Sequence, residues 1–407
     1  MTAATRHRLR TVAVAMFGVV AGVAGAIAVL APSTIAAQSS EGTTEVAAGD
    51  TLMADSLAGA EFARDSLASM TVGVIVGDRL VWTHSYGYAD MATHKPATRR
   101  TVYRIGSITK PFTAVMLLQL IETGKLHLSD PVERYFPEIR QVQGLPVGSA
   151  PITFLQLATM TAGLAQEPRT EGPFWAGPVA RWESTLIAAL PHTNYIYTPG
   201  TRFSYSNIGY AILGAALSRV AHEAYVDWER EHILTPLGMT RTRFEVDPEI
   251  SGDLAQGYTD EESGAPTDTL AAREARTGRG YKVPNGALFT TIDDLAKFVV
   301  FELGHGPESV LPRAMLDSAF ADLVATDDNM RIGYGLGFMA LRNGAFTWTG
   351  HTGGVAGFTS AMFFDRTSQR GVIVFRSATG GKARIDVASA ILERLTKTAP
   401  VKSAAAH

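Results

Sequence analysis

Everything in this chain that reads as β-strand lies near its two ends, and neither end holds enough strands to make a stable sheet alone. Near the start, the apolar runs Val72–Val76 and Leu80–Trp82 flank Gly77-Asp78, a hairpin signal. Near the finish, Leu336–Leu341, Phe346–Thr349, Phe358–Phe364 and Val372–Arg376 read as strands, with Asn343-Gly344 as a tight turn between the first two. The two ends must therefore combine into one antiparallel sheet. The intervening residues carry helical patterns and Pro/Gly-rich loops, including Phe112–Glu122, Ile208–Ala221 and Ile292–Leu303. The expected architecture is an α/β (α+β) fold: an antiparallel sheet flanked by helices, with a mostly helical second lobe. Residues 50–103 and 335–397 form the sheet-bearing lobe and 104–334 the helical one, with a cleft between them. Thr51–Ala68 and Ala383–Leu395 read as flanking helices, and residues 398–407 as a tail.

Arg6, Arg8 and Arg10 precede an uncharged apolar run, Val12–Ala31, and then the small-residue stretch Thr34-Ile35-Ala36-Ala37. Residues 1–37 thus read either as a cleaved signal peptide or as an N-terminal anchor held in a membrane by residues 12–31. Both readings export the remainder, to a periplasmic or extracellular location. Residues 38–49 read as a flexible stalk. The 407 residues contain no Cys, which excludes disulfides, thiolate nucleophiles and Cys-based metal centres. The 36 Lys+Arg against 39 Asp+Glu provide no basic excess for a phosphate backbone, so no nucleic-acid partner is expected.

Three short elements could carry chemistry. In Ser107-Ile108-Thr109-Lys110, Pro111 marks a first helical turn and the i,i+3 spacing turns the Lys110 amine to the same side as the Ser107 hydroxyl. A lysine dried by burial can lose its proton and act as a base. In Tyr205-Ser206-Asn207, a phenol can relay a proton and an amide can both accept and donate. In His351-Thr352-Gly353-Gly354, two residues without side chains leave a strand edge open to a substrate. Each element also has a plain structural reading: a helix cap with a solvated lysine, a capped turn, and a glycine-rich hairpin approach. All three in this order arise by chance far less often than any one alone.

S-x-x-K, Y-x-N and H/K-T-G in that order resemble the serine penicillin-recognising family, in its class C β-lactamase and DD-peptidase branch. Tyr103-Arg104-Ile105-Gly106, Leu126–Val132, Ile152–Leu157 and Gly350–Gly354 are similar to the family's phrasing, and the likeness runs from about Val72 to Ala378. The resemblance implies a β-lactamase/transpeptidase-like fold and an acyl-serine hydrolase without metal or cofactor, acting on a small-molecule or peptide substrate. It makes Ser107 the nucleophile, with Lys110 and Tyr205 sharing the proton traffic in an order that stays open. Asn207 would orient the substrate amide, Ser107 and Gly354 would supply the oxyanion-hole amides, and His351, Thr352 and Gly353 would line the substrate. D-Ala-D-Ala peptides, esters and β-lactams all remain candidate substrates, and a non-catalytic penicillin or cell-wall peptide binder is the rival reading.

Two departures stand out. His351 replaces the lysine of class C β-lactamases, weakening any permanent anchor for a β-lactam carboxylate. Thr159–Leu164 also differs from the family's usual T-H-T-S-G-L. Other motifs fail: His222-Glu223 has no second histidine at the zinc spacing, and no serine sits in G-x-S-x-G. Gly333–Gly337 reads as strand and bulge glycines rather than a dinucleotide loop.

Overall fold

The two ends meet along one ladder. Strand Ser69–Val76 pairs antiparallel with Arg370–Arg376, Met70 facing Arg376 and Val76 facing Arg370. The computed structural model describes residues 48–64, 66–169, 174–259, 278–320, 324–325, 332–344, 346–379 and 384–399. The leader, nearly all of the stalk and most of the 398–407 tail lie outside them. The sheet has nine strands, in the order 95–96, 79–90, 69–76, 370–376, 358–365, 346–355, 339–343, 332–334 and 324–325. Every neighbouring pair is antiparallel.

The central strands are buried on both faces, so their near-continuous apolar runs divide by alternation. Val72, Val74, Ala361, Phe363, Val372 and Val374 pack against Ala54 and Ala58 of helix Ala48–Phe62 and Ile391, Leu392 and Leu395 of helix Arg384–Thr398. Ile75, Met362, Phe364, Ile373 and Phe375 turn to the other face and join the larger core. There Gly73 and Gly371 leave room for Ile292 and Val299 of helix Ile292–Val300, since a Cβ at either glycine would meet those side chains at 3.0 and 2.7 Å. Phe298 of that helix stacks on Phe112 of helix Thr109–Glu122, ring centroids 3.8 Å apart. Each such fully buried large side chain contributes about 1.5–3 kcal/mol. Helix Thr109–Glu122 is thereby fixed to the helix that covers the sheet.

Three features differ from the sequence expectation. The strand read as Phe346–Thr349 runs on to Val355, so His351–Gly354 lie within it; residue-by-residue pairing with Phe358–Asp365 outweighs the poor strand propensity of glycine. The sheet also reaches into the segment read as helical, through Val324–Ala325 and Ile332–Tyr334. Finally, helix Ile292–Val300, assigned by sequence to the helical segment, lies against the sheet. Within that segment helix Asn207–Ala221 forms where the apolar periodicity places it, beside the shorter helices Phe154–Ala158 and Trp182–Ala189.

Candidate active site

The segment before Ser107 is tied down on two sides. Tyr103–Arg104 pairs with Phe289–Thr290, and the Ile105 N–H donates to the Leu288 carbonyl at 3.1 Å. Ser360 Oγ donates to the Ile105 carbonyl at 2.9 Å. Gly106 adopts φ +51°, and a Cβ there would meet Gly354 N and O at 2.8 Å; glycine is required on both counts. Gly106–Ile108 make one tight turn that runs into helix Thr109–Glu122, with Thr109 Oγ1 donating to the Gly106 carbonyl. Ser107 makes no capping hydrogen bond to this helix, so the plain capping reading does not apply to it. Its side chain is half-buried at the wall of a cavity.

Lys110 is fully buried beneath it. Its Nζ lies 2.9 Å from Ser107 Oγ, 2.8 Å from Asn207 Oδ1 and 3.1 Å from the Asn285 carbonyl. Burial pushes the amine well below its ordinary value; Glu167 opposes this, while Lys282 and Arg279 add to it. A neutral amine has two N–H bonds and one lone pair. Asn207 Oδ1 and the Asn285 carbonyl can only accept, so in the deprotonated form they take the two N–H bonds and leave the lone pair facing the Ser107 hydroxyl.

Asn207 opens helix Asn207–Ala221, capped by Ser206, whose Oγ accepts from the Gly209 N–H at 2.9 Å. Its Nδ2 donates to Glu167 Oε1 at 2.7 Å, which fixes the amide's orientation because a carboxylate only accepts. Glu167 also receives Lys282 Nζ at 3.0 Å and the Tyr281 hydroxyl. Lys282 in turn stands 3.7 Å from the Trp175 ring centroid. Tyr205 stands over Lys110, its ring centroid 4.7 Å from Nζ. Burial raises its phenol above the ordinary value, against the pull of a hydrogen bond with Ser107, so it stays protonated at neutral pH.

The facing wall is strand Phe346–Val355. Met339–Asn343 covers it only from Phe346 to Gly350, so residues 351–355 present an edge that no other strand among the described residues pairs. A Cβ on Gly353 would collide with the Ile105 carbonyl, whereas one on Gly354 would meet nothing within 4 Å. Gly353 thus seats the strand against the turn that holds Ser107, and Gly354 lines the cavity. His351 is buried, its Nδ1 donating to the Thr352 carbonyl and its Nε2 facing the Tyr334 hydroxyl at 3.2 Å. Since a carbonyl cannot donate, Nδ1 carries the proton and Nε2 accepts from Tyr334. Burial and then the Lys110 charge hold this imidazole down at about 3, against the hydrogen bond to Thr352. Thr352 lines the cavity, its Oγ1 3.8 Å from Met339 Sδ.

All eight residues singled out by sequence therefore meet in one place: Ser107, Lys110, Tyr205, Asn207, His351, Thr352, Gly353 and Gly354. A family model described as Beta-lactamase matches residues 51–396. The chain belongs to the Beta-lactamase family. Members of this family are serine hydrolases. A human beta-lactamase-like protein is 32% identical over 269 residues, covering 64% of this chain and 51% of the relative. The chain spans about half the length of the first curated relatives it matches, 51% and 49%. Among solved structures, a class C beta-lactamase aligns with TM-score 0.70 at 20% identity, covering 87% of this chain and 97% of that one. A D-alanine carboxypeptidase from Burkholderia cenocepacia aligns with TM-score 0.69 at 23% identity, covering 86% and 99%. These likenesses show that this Beta-lactamase family chain has the β-lactamase/transpeptidase-like fold.

Sequence reasoning missed Glu167, Tyr281, Lys282, Asn285 and Tyr334. The first four lie outside the longer helices and strands, with no period or spacing to mark them, and Tyr334 sits between strand glycines. Among the described residues no group of three or more His, Asp or Glu is placed to hold a metal ion.

Proposed function

We propose that the protein is an exported serine hydrolase that cleaves ester or amide bonds through an acyl-Ser107 intermediate, in the manner of DD-peptidases and esterases. The observation that carries this is the Lys110 amine held by two acceptors with its remaining valence on the Ser107 hydroxyl. Lys110 takes the Ser107 proton as Oγ attacks the substrate carbonyl. The oxyanion is stabilised by the backbone N–H groups of Ser107 and Gly354, which here would be worth about 3–4 kcal/mol per donor. As the bond to the leaving group breaks, Tyr205 passes it a proton that Lys110 replaces; Tyr205 suits donation because its phenol stays protonated. Water then attacks the acyl-enzyme by the same route and releases the acid. The substrate lies along the open edge at 351–355, oriented by Asn207 and Thr352. Export rests on the N-terminal leader read from the sequence. The names of the relatives, a β-lactamase and a D-alanine carboxypeptidase, support the same reaction class.

Purified protein should hydrolyse p-nitrophenyl esters through many turnovers per molecule, and Ser107→Ala should not. A saturable adduct that never clears would make the protein a binder instead.

A further inference from the structure

The cavity beside Ser107 has a consistent chemical character. Its volume is about 300 Å³, and its walls include Phe203, Tyr205, Ile332, Tyr334 and Met339. Among the described residues that line it, none is acidic, and the one basic side chain, His351, has both ring nitrogens engaged within the protein. Thr352 offers a hydroxyl, which can give one hydrogen bond but no charge. Ser107 and Tyr205 both line this cavity, so a group that leaves the Ser107-bound carbon with the Tyr205 proton is released against its walls.

We infer that the leaving-group seat of this enzyme selects an uncharged, apolar alcohol or amine, aryl or branched alkyl, and disfavours one bearing a carboxylate. The inference rests on the acyl-serine reading above and narrows it: the amine released from a D-alanyl-D-alanine peptide, or freed but still tethered when a β-lactam ring opens, carries a carboxylate on this side, whereas the alcohol of an aryl or alkyl ester does not. A carboxylate entering the seat would give up water and find no countercharge among the described lining residues. An aromatic ring would instead gain contact with Phe203, Tyr334 and Met339. The depressed basicity of His351 acts in the same direction, because the imidazole does not become an imidazolium at neutral pH.

The test compares phenyl acetate with 3-carboxyphenyl acetate. Their leaving phenols ionise alike, so the two esters differ mainly in the charge presented to the seat. Wild-type kcat/KM is expected to favour phenyl acetate at least tenfold. Met339→Lys, which adds an ammonium to the wall, is expected to bring the ratio toward one or past it. Equal turnover of the two esters, or preference for the carboxylate, by the wild type overturns the inference while leaving the hydrolase reading intact; so does a ratio that Met339→Lys does not move. Hydrolysis of neither ester defeats the acyl-serine reading itself.

Discussion

Glu167→Gln separates the role of charge from the role of shape. The substitution keeps an oxygen for the Asn207 amide and removes a negative charge that works against the loss of a proton from Lys110. Hydrogen bonds of 2.8 and 2.7 Å link Lys110 Nζ to Asn207 and Asn207 to Glu167. With the width of one amide between them, the carboxylate lies about 7 Å from the amine, and a unit charge at that distance is worth about 2 kcal/mol at an effective dielectric of about 20. The Glu167 side chain is 20% exposed. Solvent therefore trims the effect to about one pH unit. The sign follows from Lys110 acting as a neutral base: kcat/KM rises with pH as the amine deprotonates, and removing Glu167 lets it deprotonate earlier. Lys282, which that carboxylate pairs, then pushes the same way with its charge no longer offset by Glu167. The acid limb of the kcat/KM profile for a chromogenic ester should move down by about one pH unit. A limb that stays in place or moves up would refute the coupling and the assignment of Lys110 as base.

Lys110→Met should lower kcat/KM by about 10²–10⁴ while leaving the thermal midpoint unchanged or higher, since an apolar side chain replaces a desolvated amine; kinetics and melting on one preparation check both. Gly353→Ala drives a Cβ into the Ile105 carbonyl and should cost about 1–3 kcal/mol in denaturant titration, whereas Gly354→Ala should leave stability within about 0.5 kcal/mol of wild type. Burial pushes the Glu229 carboxyl up to about 8 from its ordinary 4.5. The folded chain thus holds a proton that the unfolded chain releases, and stability falls as pH rises between those values, by about 1.4 kcal/mol per pH unit for that one group. Glu229→Gln should flatten this loss in melts followed against pH.

The parts of the fold legible in the sequence are those set by short-range rules. Two incomplete sets of strands force a joint sheet, and the pairing of Ser69–Val76 with Arg370–Arg376 closes it. The i,i+3 step from Ser107 to Lys110 follows from helical geometry once Pro111 marks the first turn. Contacts made by loops were not legible. Glu167 and Lys282 are 115 residues apart and meet at the start of helix Asn207–Ala221, where the Asn207 N–H donates to the Gln166 carbonyl and the Asn285 side-chain amide donates to the Asn207 carbonyl. The run His351–Gly354 reads as a strand edge kept open by its glycines, but nothing in the sequence shows that Gly353 also lets the strand press against the Ile105 carbonyl, a contact with a residue far away in the chain.

The central claim is a covalent bond to one hydroxyl. Intact-mass and peptide mass spectrometry after rapid quenching of a slow aryl ester should find the acyl group on Ser107 in wild type and nowhere in Ser107→Ala. An acyl group on another residue, or hydrolysis that proceeds undiminished in Ser107→Ala, would contradict the account.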